Sequence, residues 1–376
     1  MRGAKRIDNS VIGRWWWTVD HATLACVGLL IGFGYVLMLA ASPSVAARIG
    51  ADRDLFILKQ VVFLTIAGVI VVGVSLLSTT AIRRVALLGC LLALAATAYT
   101  LVHGLEIKGA RRWIGLPMMS LQPSEFLKPC FAVVTAWLLT ERRRTRHFPG
   151  MLMAFAVFGV ILMLLKSQPD IGMLTVITTV FMAQLFVDGL NLVLVGVGIG
   201  SMVAAFVGAF FAFTHVRSRV ERFLHPSLGD HYQIDTALQA FGNGGLLGRG
   251  PGEGRVKDLL PDAHADFVFA VAGEEFGMLV CLFIIGVFCF MVVRTLLKLL
   301  NEDDPFVVLA SCGLMTGFGL QAFVNMGSTL HLIPTKGMTL PFISYGGSSA
   351  LSVALTIGMV LALTRRRPKA MSGVLR

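Results

Sequence analysis

Long apolar segments separated by shorter polar ones run through almost the whole chain, and they constrain its fold more than any other feature. A helix needs about 20 mostly apolar residues to cross a bilayer, and only helices or closed barrels can cross at all. Long apolar runs favour helices. Hydrophobic residues make up 56% of the chain and charged residues only 14%, far from the composition of a soluble domain. The sequence predicts an all-α, polytopic integral membrane protein.

We predict about ten membrane spans from the positions of these segments. They lie near 22–41, 56–78, 85–103, 126–141, 151–166, 171–188, 190–214, 267–292, 305–327 and 347–364. The chain then divides into an N-terminal segment (1–21), a transmembrane domain (22–365) and a C-terminal tail (366–376). The first span is a retained anchor rather than a signal peptide, because it is long and lacks a small-residue cleavage pattern.

Basic residues predict the orientation of the spans. They cluster before the first span, in the run 141-ERRRTR-146 and in 365-RRRPK-369, which all lie on one side if the spans alternate. The positive-inside rule places that side, with both termini, in the cytoplasm. The net charge of +11 is largely explained in this way and requires no nucleic-acid partner, although a basic membrane-facing surface also suits anionic lipid.

The positions of the cysteines give no indication of disulfide bonds or a zinc site. The six cysteines lie inside or at the edges of predicted spans, at Cys26, Cys90, Cys130, Cys281, Cys289 and Cys312. Neither a disulfide framework nor a CxxC zinc site is indicated.

Three loops on the non-cytoplasmic side contain most of the residues capable of chemistry. They cover about 104–125, about 215–266 between spans 7 and 8, and about 328–346. These loops hold many glycines and prolines and both signs of charge, which favours a folded surface over a solvated connector.

The first loop carries basic residues against the topological trend. Arg111 and Arg112 are candidates for contact with a diphosphate or a lipid headgroup. Glu125 and Lys128, three residues apart, form either an ion pair at a helix start capped by Ser124 or part of the site.

The long loop has seven glycines between residues 242 and 254, but no dinucleotide or P-loop spacing. Two interpretations remain open. The segment is either a flexible linker or a close-packed backbone whose N–H groups, with Arg249, Arg255 and Lys257, receive an anionic group.

Acidic residues follow where the chain re-enters the membrane. Asp266 is our candidate general base, because a low dielectric on one side would raise its pKa, and His264 is a candidate for tuning it. The alternative is that Asp266 only caps the next helix. Glu274 and Glu275 lie within a predicted span, where carboxylates need a partner; a structural salt bridge is favoured over direct catalysis.

The third loop contains Lys336. Pro334 restricts the backbone before it and Gly337 leaves the backbone after it flexible, which favours contact with a ligand over a surface lysine without a function. Gly346, Gly347, Ser348 and Ser349 then open the last span, and we interpret them as small residues that allow close helix packing.

Several long motifs together resemble one known family. GARRWIGLPMMSLQPSEFLK, KSQPDIG, ALQAFGNGGLLGRGPGEGRVKDLLPDAHADFVFAVAGEEFG and IPTKGMTLPFISYGGSS occur in this order. They are similar to the signature blocks of the SEDS family (shape, elongation, division and sporulation), over roughly residues 22 to 365. PTKG with Lys336 resembles the division members more than the elongation members. Asp258 stands where division members commonly have Glu, and His331 departs from the usual pattern and has no assigned role.

The resemblance implies a glycosyltransferase that polymerises lipid II at an extracytoplasmic site. Asp266 is then the catalytic carboxylate and Asp258 a supporting acid. Polymerisation needs a base for the attacking 4-hydroxyl and positive charge for the departing polyprenyl diphosphate. The residues assigned to substrate and diphosphate binding are Lys336, Arg111, Arg112, Lys257, Arg255 and Gln233. The sequence establishes no cofactor; a divalent cation (Mg²⁺ or Mn²⁺) near Asp258 and Asp266 suits the chemistry, but the ligands are too few to infer one.

The resemblance also implies partners and a location. They are a class B penicillin-binding protein (a transpeptidase) docked on spans 8 and 9, other division proteins, and membrane lipid, in the bacterial cytoplasmic membrane at the septum. Two other functions remain open, a lipid II flippase and a non-catalytic division scaffold. Essential polar groups in outward loops, rather than at the membrane midplane, favour the enzyme.

Overall fold

The computed structural model describes residues 10–50, 52, 54–107, 110–116, 119–212, 214, 217–218, 220–221, 232–260, 262–334 and 337–365. Within these ranges the side chains of residues 44–47, 49, 192, 199, 202, 205, 206, 209, 233 and 234 are not described.

Helices dominate the described part of the chain. Before the long loop they are α1 (Val11–Thr18), α2 (His21–Ile49), α3 (Leu55–Ser75), α4 (Thr79–His103), α5 (Pro123–Arg144), α6 (Gly150–Ser167), α7 (Ile171–Val187) and α8 (Leu192–Ala212). Within and after that loop they are α9 (Tyr232–Gly244), α10 (Val268–Leu299), α11 (Pro305–Thr329) and α12 (Gly347–Leu363). Several starts carry the expected caps: the side chains of Ser78, Asp170 and Asp304 accept backbone N–H groups of the first turn.

Each predicted span coincides with one of the helices α2–α8 and α10–α12. Six of them, α2, α3, α4, α6, α10 and α11, are long and apolar enough to cross a membrane by length and composition, and α7 and α12 are shorter apolar helices. The all-α polytopic class is therefore confirmed, whereas the number of ten spans remains a prediction.

Helix α5 lies at the centre of the bundle. Most of its residues are buried, including Lys128 and Thr135, and it packs against α4, α6, α7, α11 and α12. It carries more polar and charged residues than its neighbours because protein rather than lipid surrounds it.

A small antiparallel sheet in the first loop was not predicted. Its strands are β1 (Leu105–Ile107), β2 (Ala110–Gly115) and β3 (Ser120–Leu121), in the order β1-β2-β3. Glu106 pairs with Arg111 across the first two strands. The strands are too short for an alternation of apolar and polar residues to identify them.

Ion pairs join the helices at the end of the bundle opposite this sheet. Asp20 accepts from Arg294 at 2.9 Å and from Lys298 at 2.5 Å, which ties the start of α2 to the end of α10. Asp188 pairs with Arg143 at 2.6 Å, which ties α5 to the end of α7. Arg143, Arg294 and Lys298, which the alternation of spans places on the predicted cytoplasmic side, are all held in these ion pairs.

Candidate active site

Asp266 lies in a turn just before α10. The N–H groups of Ala265 and Asp266 donate to the Asp262 carbonyl at 3.0 and 3.1 Å, and Asp262 adopts a positive φ of 54°. Phe267, rather than Asp266, occupies the N-cap position of α10. Asp266 therefore does not occupy the N-cap position that the alternative interpretation gave it.

The Asp266 carboxylate lies against the backbone of the third loop. A Cβ built on Gly337 would be 3.2 Å from Asp266 Oδ2, and Gly337 has a φ of +59°. A side chain at this position would strain the left-handed backbone and would require the Asp266 carboxylate to shift by a few tenths of an ångström. Lys336 and Thr335, which precede Gly337, lie outside the described residues.

A buried amide from α11 connects the same two segments. Asn325 Nδ2 donates to the Asp266 carbonyl at 3.1 Å and to the Met338 carbonyl at 2.6 Å. Asn325 is fully buried. The two segments that carry the candidate base and the PTKG motif are thus joined through a third element.

One turn deeper, a polar network links α5, α11 and α12. Lys128 Nζ lies 2.6 Å from Glu125 Oε2 and donates to Gln321 Oε1 at 2.6 Å. Gln321 Nε2 donates to the Thr339 carbonyl and to Ser349 Oγ, both at 3.0 Å. The predicted Glu125–Lys128 pair is present, but Gln122 rather than Ser124 occupies the N-cap position of α5.

His264 is buried beside the turn that holds Asp266. Its ring lies 5.0 Å from the Phe56 ring and 5.1 Å from the Tyr345 ring, and its carbonyl accepts from Tyr345 N at 2.8 Å. Burial lowers the pKa of His264, partly offset by the charge of Asp262. Burial also raises the pKa of Tyr345. Both side chains are therefore held in their neutral forms.

Helix α10 is broken at Gly277, and the glycine-rich loop closes the break. Gly277 has φ 81° and ψ 178°, so the helical hydrogen bonds around it are lost. The freed carbonyls of Glu274 and Glu275 accept from the N–H groups of Arg249 and Gly250, both at 3.0 Å. On the other side of the break, Met278 N donates to Gly245 O at 2.9 Å. The loop supplies the partners that a broken membrane helix needs.

The carboxylates of Glu274 and Glu275 receive N–H groups of the same loop. Glu274 Oε1 accepts from Arg255 N and Val256 N, both at 3.0 Å. Glu275 Oε2 accepts from Gly252 N at 3.0 Å. The close-packed interpretation of the glycine segment therefore holds over these residues, with an anionic group supplied by the protein itself.

Lys257 belongs to this internal arrangement. Its Nζ lies 2.5 Å from Glu275 Oε1 and donates to the Gly252 carbonyl at 3.1 Å, and its side chain is only 10% exposed. These contacts favour a structural role for Glu275 and hold Lys257 away from an external diphosphate.

The two arginines of the first loop differ in their surroundings. Arg112 donates to the carbonyls of Gln168 and Pro169 at 2.9 and 2.7 Å and lies 3.3 Å from Asp170 Oδ2. It thereby fixes the sheet to the junction of α6 and α7. Arg111 is half exposed and pairs with Glu106 at 3.2 Å, so it remains accessible to a ligand.

The structure shows no side-chain contact between the remaining predicted site residues that it describes and the residues around Asp266. Arg255 is exposed, and exposed Asp258 offers its carbonyl to Arg48. Gln233 lies in α9, but its side chain is not described. Among the residues that the structure describes, no three His, Cys, Asp or Glu side chains are grouped as a metal ion would require.

An apolar groove of about 480 Å³ opens beside the break in α10. Its walls come from α9 and the loop after it, from α10 and from the end of α11; they include Phe241, Leu246, Met278, Leu282 and Leu330. Met278 and Leu282 are about half exposed, so the groove opens toward the lipid-facing surface of α10.

Comparison with known proteins identifies the family. The model of the FtsW/RodA/SpoVE cell cycle proteins matches residues 20–369. The chain belongs to this family. It is 42% identical over 367 residues to the probable peptidoglycan glycosyltransferase FtsW of Caulobacter vibrioides, covering 97% of this chain and 94% of that protein.

Two solved structures extend the similarity to the fold. One was determined in work on the structural coordination of polymerization and crosslinking by a peptidoglycan synthase complex; its matching chain has a TM-score of 0.77 at 26% identity, over 93% of this chain and 98% of that chain. The rod shape determining protein RodA of Thermus thermophilus has a TM-score of 0.69 at 26% identity, over 93% of this chain and 97% of that chain. The resemblance to the SEDS family is thus confirmed, and this member of the family is a multi-pass membrane protein.

Sequence reasoning missed part of this site. Asn325 and Gln321 are buried polar residues inside a predicted span, and polar residues in such a span indicate a functional interior. Ser348 and Ser349 were interpreted as packing residues only. Gly347 does allow close packing, since a Cβ there would lie 2.8 Å from Phe63 Cζ, but Ser349 also accepts from Gln321. The signal was present in the sequence, in the polar residues of the ninth span.

Proposed function

We propose that the protein is a peptidoglycan glycosyltransferase that polymerises lipid II into glycan strands and releases polyprenyl diphosphate. The observation that carries this proposal is the 42% identity to a probable peptidoglycan glycosyltransferase along nearly the whole chain. The structural similarity to a chain of a complex described by polymerisation and crosslinking supports the same activity.

Asp266 is the general base in this proposal. The 4-hydroxyl of one sugar attacks the anomeric carbon of another, and the carboxylate takes the hydroxyl proton as the bond to the diphosphate breaks. A single displacement of this kind inverts the anomeric carbon. The close packing of the Asp266 carboxylate on Gly337 and the hydrogen bonds of Asn325 support a fixed position for this group.

The departing diphosphate needs positive charge. Lys336 is assigned this role, since it is bonded to Gly337, whose backbone lies beside Asp266. Arg111 and Arg255 are exposed and are assigned to the same charged surface. Arg112 and Lys257 already bind internal partners, and we assign them to holding the site together. Asp258 is kept as a supporting acid, the role that the family resemblance implies for it.

A transpeptidase with a single membrane anchor, of the class B penicillin-binding type, is the proposed partner. We place its anchor on α10 and α11, the eighth and ninth predicted spans. The half-exposed apolar residues Met278, Leu282 and Phe290 along α10 and the groove beside them support this face. The proposed location is the cytoplasmic membrane at the division septum, with the active site on the extracytoplasmic side.

The experiment that tests this function is polymerisation of purified lipid II by the protein in proteoliposomes with its cognate transpeptidase. Wild type is compared with Asp266→Asn and with Asp235→Asn, an exposed acid of α9 in the same predicted loop. We expect glycan ladders from wild type and Asp235→Asn and none from Asp266→Asn, with partner binding unchanged in all three.

Other outcomes identify the alternatives. Ladders from Asp266→Asn would exclude Asp266 as the base and move the test to Asp258→Asn. If no protein forms ladders while fluorescent lipid II crosses the bilayer of the proteoliposomes, the protein is a transporter. If neither activity is observed and the partner still binds, a scaffold role replaces the enzyme.

A further inference from the structure

We propose that Asn325 is a positioning residue that sets the distance between the backbone of Asp266 and the backbone of the segment that begins at Gly337. The inference rests on the proposed function, in which these two segments supply the base and the charge for the leaving group. Asn325 itself need not touch the substrate, because its contacts are to the protein backbone on both sides.

The amino group of the Asn325 side chain is fully used as a bridge. Nδ2 has two protons; one goes to the Asp266 carbonyl at 3.1 Å and the other to the Met338 carbonyl at 2.6 Å. Both acceptors are main-chain groups, so the bridge fixes the two backbones rather than the carboxylate itself. A movement of either backbone would break one of the two bonds.

Residues of its own helix also hold Asn325 in place. The hydroxyls of Ser328 and Thr329 donate to its main-chain carbonyl at 2.9 and 2.8 Å, and all three residues are buried. The last turn of α11 is thus braced around the residue whose side chain forms the bridge. A rigid support of this kind is what a precise catalytic geometry requires.

The bridge lies where displacement matters most. The Asp266 carboxylate packs on Gly337, the residue before Met338, so the Met338 bond controls the peptide segment in contact with the base. A second tie, Tyr345 N to the His264 carbonyl at 2.8 Å, joins the same two segments further from the carboxylate. Loss of the Asn325 bridge would leave the segments connected but their spacing at the carboxylate free to vary.

The bundle contains a matched control for the chemistry of this bridge. Gln184 of α7 is also fully buried, and its Nε2 donates to the carbonyls of Ala132 and Leu309 at 2.6 and 3.1 Å. Its acceptors lie in α5 and α11, within the helices rather than in the site segments. Removing either amide costs two hydrogen bonds to main-chain carbonyls in a buried place, but only the Asn325 amide joins the backbone of the candidate base to the segment that begins at Gly337.

The experiment compares Asn325→Ala, Asn325→Asp and Gln184→Ala with wild type in complex with the transpeptidase. Lipid II polymerisation gives kcat and KM, and hydrogen–deuterium exchange followed by mass spectrometry gives the mobility of peptides covering 262–267 and 337–346. We expect Asn325→Ala to lower kcat by about 10- to 100-fold with KM changed less than about threefold. Both site peptides should exchange faster. Asn325→Asp should not rescue kcat, because its oxygens cannot donate to the two carbonyls.

Gln184→Ala should lower the thermal midpoint to a similar extent but keep kcat within about threefold of wild type and leave exchange of the site peptides unchanged. Equal losses of kcat in Asn325→Ala and Gln184→Ala, or unchanged exchange of the site peptides in Asn325→Ala, would overturn the inference. Activity of Asp266→Asn would instead overturn the proposed base, and the exchange comparison would still decide whether Asn325 controls the spacing.

Discussion

Lys257 Nζ lies 2.5 Å from Glu275 Oε1, a contact that ties the end of the glycine-rich loop to α10. Glu275 is fully buried and Lys257 nearly so. Burial removes both charges from most of the bulk solvent, so each is stabilised mainly by the other and by hydrogen bonds to Gly252. Lys257, which the sequence analysis assigned to substrate binding, is therefore paired with Glu275, a carboxylate inside a predicted membrane span.

Replacement of one member of this pair should destabilise the protein. Lys257→Met leaves Glu275 charged and unpaired in a buried place, at a cost of about 3–5 kcal/mol. Thermal unfolding in detergent measures the loss. Arg255→Met is the control, because Arg255 is an exposed cation two residues away, and it should change stability by less than about 0.5 kcal/mol. A raised KM for lipid II at an unchanged thermal midpoint would return Lys257 to the substrate site.

The break in α10 should require glycine. In Gly277→Ala the new Cβ would collide with the backbone of Leu246 and Gly248 and would occupy a left-handed φ, so we expect a loss of at least about 1–3 kcal/mol. Gly286→Ala, in the same helix, meets nothing within 4 Å and should be neutral or stabilising. The comparison is made by thermal unfolding and by binding of the transpeptidase. Equal behaviour of the two variants would show that the loop does not depend on the break.

Arg112 should not be replaceable by lysine. A single ammonium cannot reach the carbonyls of Gln168 and Pro169 and the Asp170 carboxylate together, so Arg112→Lys should lower the thermal midpoint. Arg111→Lys keeps the charge beside Glu106 at an exposed position and should leave the midpoint unchanged. Kinetics separate the two residues further: if Arg112 binds the diphosphate, Arg112→Lys will raise KM without changing stability.

Stability should fall in mild acid because of His264. Its folded-state pKa is lowered by burial, so below the unfolded value of about 6.5 the unfolded chain binds more protons than the folded one. Stability is therefore present above that pH and is lost as the pH falls toward the folded pKa. The slope of the thermal midpoint between pH 7 and pH 5 measures this, and His264→Gln should reduce it. An unchanged slope in His264→Gln would assign the acid sensitivity to other groups.

The fold class and most of the helices were predictable because a helix that crosses a bilayer needs a long apolar segment, and such a segment is visible in the local sequence. The ten predicted segments coincide with α2–α8 and α10–α12. The helix α9 was missed because the glycines that follow it dominate the loop, and the short strands β1–β3 carry too few residues for a pattern. The sequence also selected Asp266, from its position where the chain re-enters the membrane and from the resemblance to the SEDS family.

The sequence by itself thus determined the membrane class, the positions of the helices and the candidate base, because these depend on neighbouring residues and on the surrounding lipid. Only the tertiary structure decided which groups these buried side chains contact. Glu275 and Lys257 are 18 residues apart in the chain, and Asn325 and Asp266 are 59 apart. A buried charge or amide is stabilised by whichever group the fold brings to it, and the backbone path that does so is absent from any local pattern.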